Sequence, residues 1–349
     1  MEDKVLKFSA VFLVLLAAAA FFLMPLLPKL HTREMEVREA RLAEEEYASR
    51  QTQMQDLQIK EEQVSQEMEG QLRLKLPEGV DGGKIQVTND YVTQTVRVKI
   101  PETDASYFDS YPIVGSSNHI DSLSYIQEGD VGIIEIAMDR VYELDMDYDE
   151  EHYVFNFLTP QEVYDKVVVI DAGHGGRAPG AVKEGVKEKD IDLAIVLQLK
   201  KIFGESDENI GVYFTRTDDS NPTFSQRVQL ANKSDANLFI SIHNNSTRSG
   251  RMSGTNGTQA MYDELSEDSR SFAQICLEEL TTELGSRNKG LVKGDSIYII
   301  RSSEVPVALI EVGFMTNREE LGLLRTEEYQ KKTAEGVYRA IQRAFKEGY

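Results

Sequence analysis

Hydrophobic and polar positions fall into four successive textures along the chain. Phe8 to Leu27 carry no charge. At ~1.5 Å rise per residue, such a run crosses a ~30 Å hydrocarbon core as a helix. The alternative is a cleaved secretory signal, disfavoured because the run exceeds a ~7–15 residue h-region and no small-x-small site follows it before Lys29. From Arg33 to Gly70 the chain is dense in Glu, Gln and Arg and reads as one long polar helix. Ala40, Tyr47, Met54 and Met68 share a seven-residue spacing, and Ala43, Leu57 and Val64 fill much of a second seam. Arg50 and Glu61 interrupt those seams, which favours a solvated stalk over a coiled-coil dimer.

Beyond Leu72 the texture becomes period-two alternation. Lys84–Thr88, Gln94–Ile100, Gly132–Ala137 and His152–Phe157 read as strands, separated by turn residues such as Gly82-Gly83 and Glu128-Gly129-Asp130. A small β-sandwich or partial barrel follows. From Lys166 onward, strand and helix patterns alternate. The expected strands are Val167–Asp171, Gly211–Thr215, Leu238–Ile242, Thr258–Tyr262, Ser296–Ile300 and Val307–Val312. The expected helices are Glu188–Phe203, Phe224–Ser234, Asp268–Leu284 and Thr326–Phe345. This predicts an α/β domain, a mostly parallel sheet with helices on both faces. The expected organisation is a tail (1–7), a transmembrane anchor (8–28), a stalk (29–70), an all-β domain (71–162) and an α/β domain (165–349).

Charge and composition narrow the chemistry. A formal net charge of −21 argues against nucleic acid as a partner. A single cysteine, Cys276, excludes a disulfide framework and a thiolate metal cage. The five histidines are His31, His119, His152, His174 and His243, so any imidazole metal site draws on a short list. His119 and His152 fall in the β-region, apart from the other histidines, and read as surface or edge positions.

The segment Ile170-Asp-Ala-Gly-His-Gly-Gly-Arg-Ala-Pro-Gly180 contains G-x-G-x-x-A, a form of the dinucleotide-binding fingerprint. That motif requires a helix to open inside it and meet the pyrophosphate. Here Pro179 and Gly180 follow instead, and no helical period starts before Glu188. A metal site is the better reading. His174 and His243 each follow an apolar strand at its carboxyl end, where functional groups gather in parallel sheets. Glu311 lies at the end of a third strand, between Ile310 and Val312, where an apolar setting favours a raised pKa. Glu188 opens a helix, a place that suits a carboxylate on dipole grounds alone. Two histidines and one carboxylate form a catalytic zinc set with an open fourth position.

Four segments carry a family resemblance: DAGHGGRAPGAVKEGVKEKDIDL, VYFTRTDD, RVQLANKSDANLFISIHNN and PVALIEVGFMTN. In this order and spacing they resemble the zinc-dependent N-acetylmuramoyl-L-alanine amidases of peptidoglycan metabolism. The resemblance covers Lys166 to Tyr349 and implies zinc ligands at His174, Glu188 and His243, with a catalytic glutamate at Glu311. It implies hydrolysis of the amide joining N-acetylmuramic acid to L-alanine by a zinc-activated water, with glycan strands and stem peptides as partners. Asn244, Asn245, Arg216 and Arg227 stand in the same segments as candidate substrate contacts, although for both arginines a structural ion pair is the stronger expectation. Asp171 is a candidate for orienting the first loop or a ligand.

Some relatives carry an extra helix that plugs the zinc site. The short stretch between Tyr262 and Ile297 leaves little room for one, so an open site is expected. The β-domain resembles, more distantly, the AMIN targeting domains that precede such amidases, which implies a wall or protein partner. Peptidoglycan lies outside the membrane, so the expected placement is a single-pass bacterial membrane protein, N-terminus inside and catalytic domain extracytoplasmic. Two alternatives stay open at this point: a zinc peptidase cutting within the stem peptide, and a non-catalytic wall-binding protein on the same scaffold.

Overall fold

The computed structural model describes residues 71–349, apart from 102, 104, 105, 112, 116 and 117. The expected tail, anchor and stalk lie outside the described residues. Among the described residues, no helix is long and apolar enough to cross a membrane.

Eight strands form the β-domain: β1 (Leu72–Lys75), β2 (Gln86–Asp90), β3 (Thr95–Pro101), β4 (Val114–Gly115), β5 (Ile120–Glu128), β6 (Val131–Met138), β7 (Glu143–Tyr148) and β8 (His152–Leu158). A short helix α1 (Ser106–Ser110) lies between β3 and β4. Two antiparallel four-stranded sheets, ordered β4-β1-β8-β7 and β2-β3-β6-β5, make a sandwich. Alternation explains it: Val96, Val98 and Ile100 of β3 face Leu72, Leu74, Phe155 and Phe157 across one core. β1, β4, β5 and β7 were not among the expected strands. β7 carries Asp145 and Asp147 and is mostly exposed, an edge whose polarity hides its strand character.

Helix α2 (Pro160–Val163) leads into the second domain, whose sheet runs β12 (Ile210–Phe214), β9 (Lys166–Ala172), β13 (Leu238–Asn245), β16 (Val307–Phe314), β14 (Thr258–Tyr262) and β15 (Asn288–Lys293). A small hairpin, β10 (Val182–Lys183) with β11 (Val186–Lys187), stands apart from it. The helices are α3 (Glu188–Gly204), α4 (Phe224–Lys233), α5 (Glu267–Leu284), α6 (Tyr298–Arg301), α7 (Arg318–Leu324) and α8 (Glu327–Lys346).

The sheet is mixed. β12, β9, β13 and β16 run parallel, whereas β14 runs antiparallel to β16 and β15 follows β14. The expected strand at Ser296–Ile300 is instead a turn and the helix α6, burying Ile299 and Ile300. A short apolar run fits either element, and periodicity alone does not separate them. The sixth strand is instead β15, which was not among the expected strands because Gly290 and flanking polar residues interrupt its alternation.

Strand periodicity sorts the central residues onto two faces. Val168, Ile170, Leu238, Ile240, Ile242, Ala308 and Ile310 pack against α3, α5 and α8. Val167, Val169, Phe239, Val307 and Leu309 pack against α4, α6 and part of the β-domain. Cys276 is sealed in the first of these cores, where burial pushes its thiol up. Gly336 lets α8 approach α5 closely: a Cβ there would stand 3.2 Å from a Leu280 methyl.

The β-domain covers sheet face that the short helices leave bare. Val141, Tyr91 and Val92 enter the second core beside Tyr213. Glu143 ties the domains together, accepting from Tyr91 Oη at 2.8 Å and from Tyr213 Oη at 2.6 Å. The Val141 N–H donates to Lys233 O at 3.0 Å, and Gln161 donates to the carbonyls of Ser234 and Asp235. Burial, and then the neighbouring Glu143, push the Tyr213 hydroxyl far above its ordinary pKa. Glu143→Ala leaves that hydroxyl without its acceptor and is expected to cost ~1–3 kcal/mol. The check is a lower Tm of the single cooperative transition.

Candidate active site

The site is built at the carboxyl edge of β9, β13 and β16, beginning with a turn that needs unusual backbone. His174 has φ +57°, followed by Gly175 at +132° and Gly176 at +49°. An L-residue in that region costs ~1–2 kcal/mol and needs surrounding structure to hold it. Two buried guanidinium groups do so. Arg216 donates to Ala172 O at 2.9 Å and Gly173 O at 2.6 Å, and also to Lys189 O at 2.9 Å. Arg227 donates to Ala172 O and His174 O, both at 2.7 Å. Consecutive carbonyls of the turn are thus aimed inward onto fixed positive charge.

Asp171 balances that charge. It is fully buried, pairs with Arg227, and accepts from Thr215 Oγ1 and Ser241 Oγ at 2.6 Å each. Burial alone would raise its carboxyl; Arg227 and the two hydroxyls outweigh this and hold it below the usual range. Asp171 therefore acts on the His174 turn through Arg227. Arg216 and Arg227 are 3% and 2% exposed: Arg216 donates to backbone carbonyls, and Arg227 to backbone carbonyls, Asn221 and Asp171, the last being the ion pair expected of it. Asn244 is likewise 2% exposed and donates to Asp192 at 2.7 Å, so it faces the core rather than substrate.

After the turn, Gly180 at φ +66° redirects the chain into the β10–β11 hairpin, and α3 starts only at Glu188. No helix meets the glycine turn, which disposes of the dinucleotide reading. Gly180 also lies against the site: a Cβ there would stand 2.5 Å from Glu188 Oε2 and 2.6 Å from His174 Cδ2. Gly173 is pressed on the other side, where a Cβ would meet His243 Cε1 at 2.4 Å.

Three sequence-derived residues converge here. One oxygen of Glu188, Oε1, lies 3.1 Å from His174 Nε2 and 3.1 Å from His243 Nδ1. It also accepts the Asn244 N–H at 3.1 Å, while Oε2 accepts the Ala181 N–H at 2.7 Å. The two imidazoles meet edge to face, 4.8 Å between centroids. Burial pushes the Glu188 carboxyl up, but both histidines outweigh it and hold it well below the usual range. Asp192, one helical turn further along α3, completes a group whose ligand atoms all lie within 4.8 Å. His119 and His152 do not belong to it: His119 meets Tyr142 and His152 meets Arg73.

Glu311 is paired in register with His243 across β13 and β16. Its Oε2 is sealed from solvent with no hydrogen-bond partner. Burial, reinforced by the charge of Glu188, pushes its carboxyl up to about 8. Gln259 of β14 flanks Glu311 in register on the other side and receives Asn245 Nδ2 at 3.0 Å, leaving Asn245 and Gln259 as half-buried amides beside the site. The donor set suits a small cation. Two imidazoles and one carboxylate already touch, His174 stays 30% exposed, and an unpartnered carboxylate oxygen stands alongside. Among the described residues, the chain leaving β14 enters α5 directly, with no additional helix over the cleft.

Sequence reasoning missed Asp192, although a signal existed. It falls at the i+4 position from Glu188, on the stripe of Ile191, Ile195 and Leu199 that α3 buries. A carboxylate on such a stripe marks a buried polar contact.

The sequence of residues 168–343 matches the family model described as N-acetylmuramoyl-L-alanine amidase, half of the chain. The chain belongs to this family. An uncharacterised Bacillus subtilis protein, YqiI, is 38% identical over 178 residues, covering 50% of this chain and 83% of that protein. The germination-specific N-acetylmuramoyl-L-alanine amidase of B. subtilis is 32% identical over 196 residues, covering 52% and 81%. A crystal structure of an N-acetylmuramoyl-L-alanine amidase from Clostridium difficile 630 superposes with a TM-score of 0.50 at 30% identity, covering 53% of this chain and 98% of that one. The protein is an N-acetylmuramoyl-L-alanine amidase, a hydrolase of peptidoglycan.

Two outcomes follow for this amidase. Gly180→Ala forces a methyl into Glu188 and His174 at a φ that alanine resists, so kcat/KM should fall by ~10²-fold or more. Steady-state kinetics on the purified variant check this. Glu311→Gln should raise the stability of the metal-free protein. Glu311 titrates near 4.5 when unperturbed but near 8 in the fold. Between those values the unfolded chain releases a proton that the native state keeps, so wild-type stability falls as pH rises. Glutamine carries no such penalty, and the gap should open above pH ~4.5 and level off above pH ~8, at on the order of 2–4 kcal/mol. Urea melts of both proteins at pH 4 and pH 8 read it directly.

Proposed function

We propose that His174, Glu188 and His243 hold a catalytic zinc ion and that Glu311 is the general base and acid of amide hydrolysis. The observation that carries this reading is the meeting of both imidazoles on one oxygen of Glu188, beside the unpartnered oxygen of Glu311. Bound there, zinc would supply a Lewis acid for the lactyl carbonyl and make a nearby water a better nucleophile.

The remaining chemistry falls to side chains. Ionised Glu311 takes a proton from the attacking water and delivers it to the departing L-alanine amine. A carboxyl raised towards neutrality suits both halves of that transfer. Asn245 and Gln259, half-buried beside Glu311, are positioned to hydrogen-bond the substrate around the scissile amide. His174 and Glu188 keep their geometry through the turn held by Arg216 and Arg227.

The uncharged run Phe8–Leu27 supports a membrane anchor, with 29–70 as a stalk and the enzyme on the outer side of the membrane, where its substrate lies. The β-domain, within 71–162, is then the module that meets a wall or protein partner.

The decisive experiment is a muropeptide digest with the purified protein, with and without a zinc chelator. Stem peptides bearing a free L-alanine N-terminus are expected, vanishing with chelator. Glu311→Ala should lower kcat by ~10²–10⁴-fold, the range of a general base. Intact lactyl–alanine linkages, with cuts inside the stem, would establish a peptidase instead. Full activity in Glu311→Ala would remove the proposed base.

A further inference from the structure

The strand that carries His243 is fastened to the helix that carries Glu188 at a second point, one helical turn deeper. Asp192 follows Glu188 on the buried face of α3 and is 0% exposed. Its Oδ1 accepts from Asn244 Nδ2 at 2.7 Å. The backbone N–H of the same Asn244 donates to Glu188 Oε1 at 3.1 Å. Strand periodicity accounts for the meeting, since Asn244 shares the face of Ile240 and Ile242 that packs against the helix layer. The two bonds close a ring: down α3 from Glu188 to Asp192, across to the Asn244 amide, and back through its backbone to Glu188.

That ring has no evident purpose as core filling. Asp192 Oδ2 and Asn244 Oδ1 are both buried without a hydrogen-bond partner. Apolar residues at both Asp192 and Asn244 would leave no polar atom stranded there, and unpartnered buried polar atoms cost stability. What the polar pair supplies is directional: it sets the residue next to His243 at one height along α3.

We propose that Asp192 is a positioning residue for the metal centre, gripping Asn244 so that His243 and Glu188 are held at ligating distance before any ion arrives. The inference rests on the reading of His174, Glu188 and His243 as ligands. Partners behind ligating residues tune metal affinity roughly 10–100-fold, which sets the size of the effect.

The test uses the full-length protein stripped of metal, with zinc affinity measured by competition against a chromophoric chelator. Asp192→Ala and Asn244→Ala should each weaken zinc binding by roughly 10–100-fold. The double variant should be little weaker than either alone, because both remove the same bond. Asp192→Asn keeps an acceptor oxygen for Asn244 and should recover most of the affinity, whereas a direct ligand would not be rescued by an amide. Circular dichroism and Tm of the metal-free variants report folding, and Asn244→Ala removes the bond from the strand side if Asp192→Ala does not fold. Folded single variants with wild-type zinc affinity, additive losses in the double variant, or no rescue by asparagine would each overturn the proposal. His174→Ala serves as the control for the ligand reading itself. If it binds zinc as tightly as wild type, that reading fails; if it does not, an unchanged Asp192→Ala refutes this inference alone.

Discussion

Everything at the active edge depends on two buried guanidinium groups holding one stretch of backbone. Arg216 and Arg227 collect the carbonyls of Ala172, Gly173 and His174, and only with those carbonyls fixed can His174 sit at positive φ and face Glu188. Charge makes the arrangement possible. Arg227 is neutralised by Asp171, to which Thr215 and Ser241 donate in turn, so that cation is not left bare in the core, and Arg216 is solvated by backbone carbonyls. A lysine in either place would offer a point charge where a planar fork spans neighbouring carbonyls.

The site itself concentrates like charge. Burial first, and then the charge of Glu188, raises the cost of ionising both Asp192 and Glu311. For Glu188 the imidazoles win and the carboxylate stays charged; Asp192 and Glu311 have no such partner and are driven towards the neutral form. A divalent cation held by this cluster would relieve the conflict by neutralising it at its centre. Function and stability pull in opposite directions here, as active sites commonly require.

Much of this was legible from residues alone because the relevant signals are local. His174 follows β9, Glu188 opens α3, and His243 and Glu311 lie in the second halves of β13 and β16, all elements whose apolar pattern is plain, so topology could be trusted to gather them. The anchor and stalk patterns fall in residues the structure does not describe. Other elements were hidden for identifiable reasons. β15 is an edge strand broken by Gly290, and α6 is an apolar run too short to declare its period. The reversal of β14 leaves no trace in its own alternation, because parallel and antiparallel strands share a period of two. The arginines were ambiguous because charge shows in a sequence while burial does not. Nothing near Arg216 or Arg227 in the chain says that backbone carbonyls, rather than a ligand, take their protons.

The seam between the sandwich and the sheet has a mechanical consequence. Tyr91, Glu143 and Tyr213 make a polar clasp within an apolar contact, so the two domains turn as one piece. Rotating one domain against the other would break both tyrosine hydrogen bonds to Glu143 and expose the apolar contact around Val141. The cleft therefore keeps one bearing relative to the sandwich, and anything held on the sandwich would meet the cleft at that one angle.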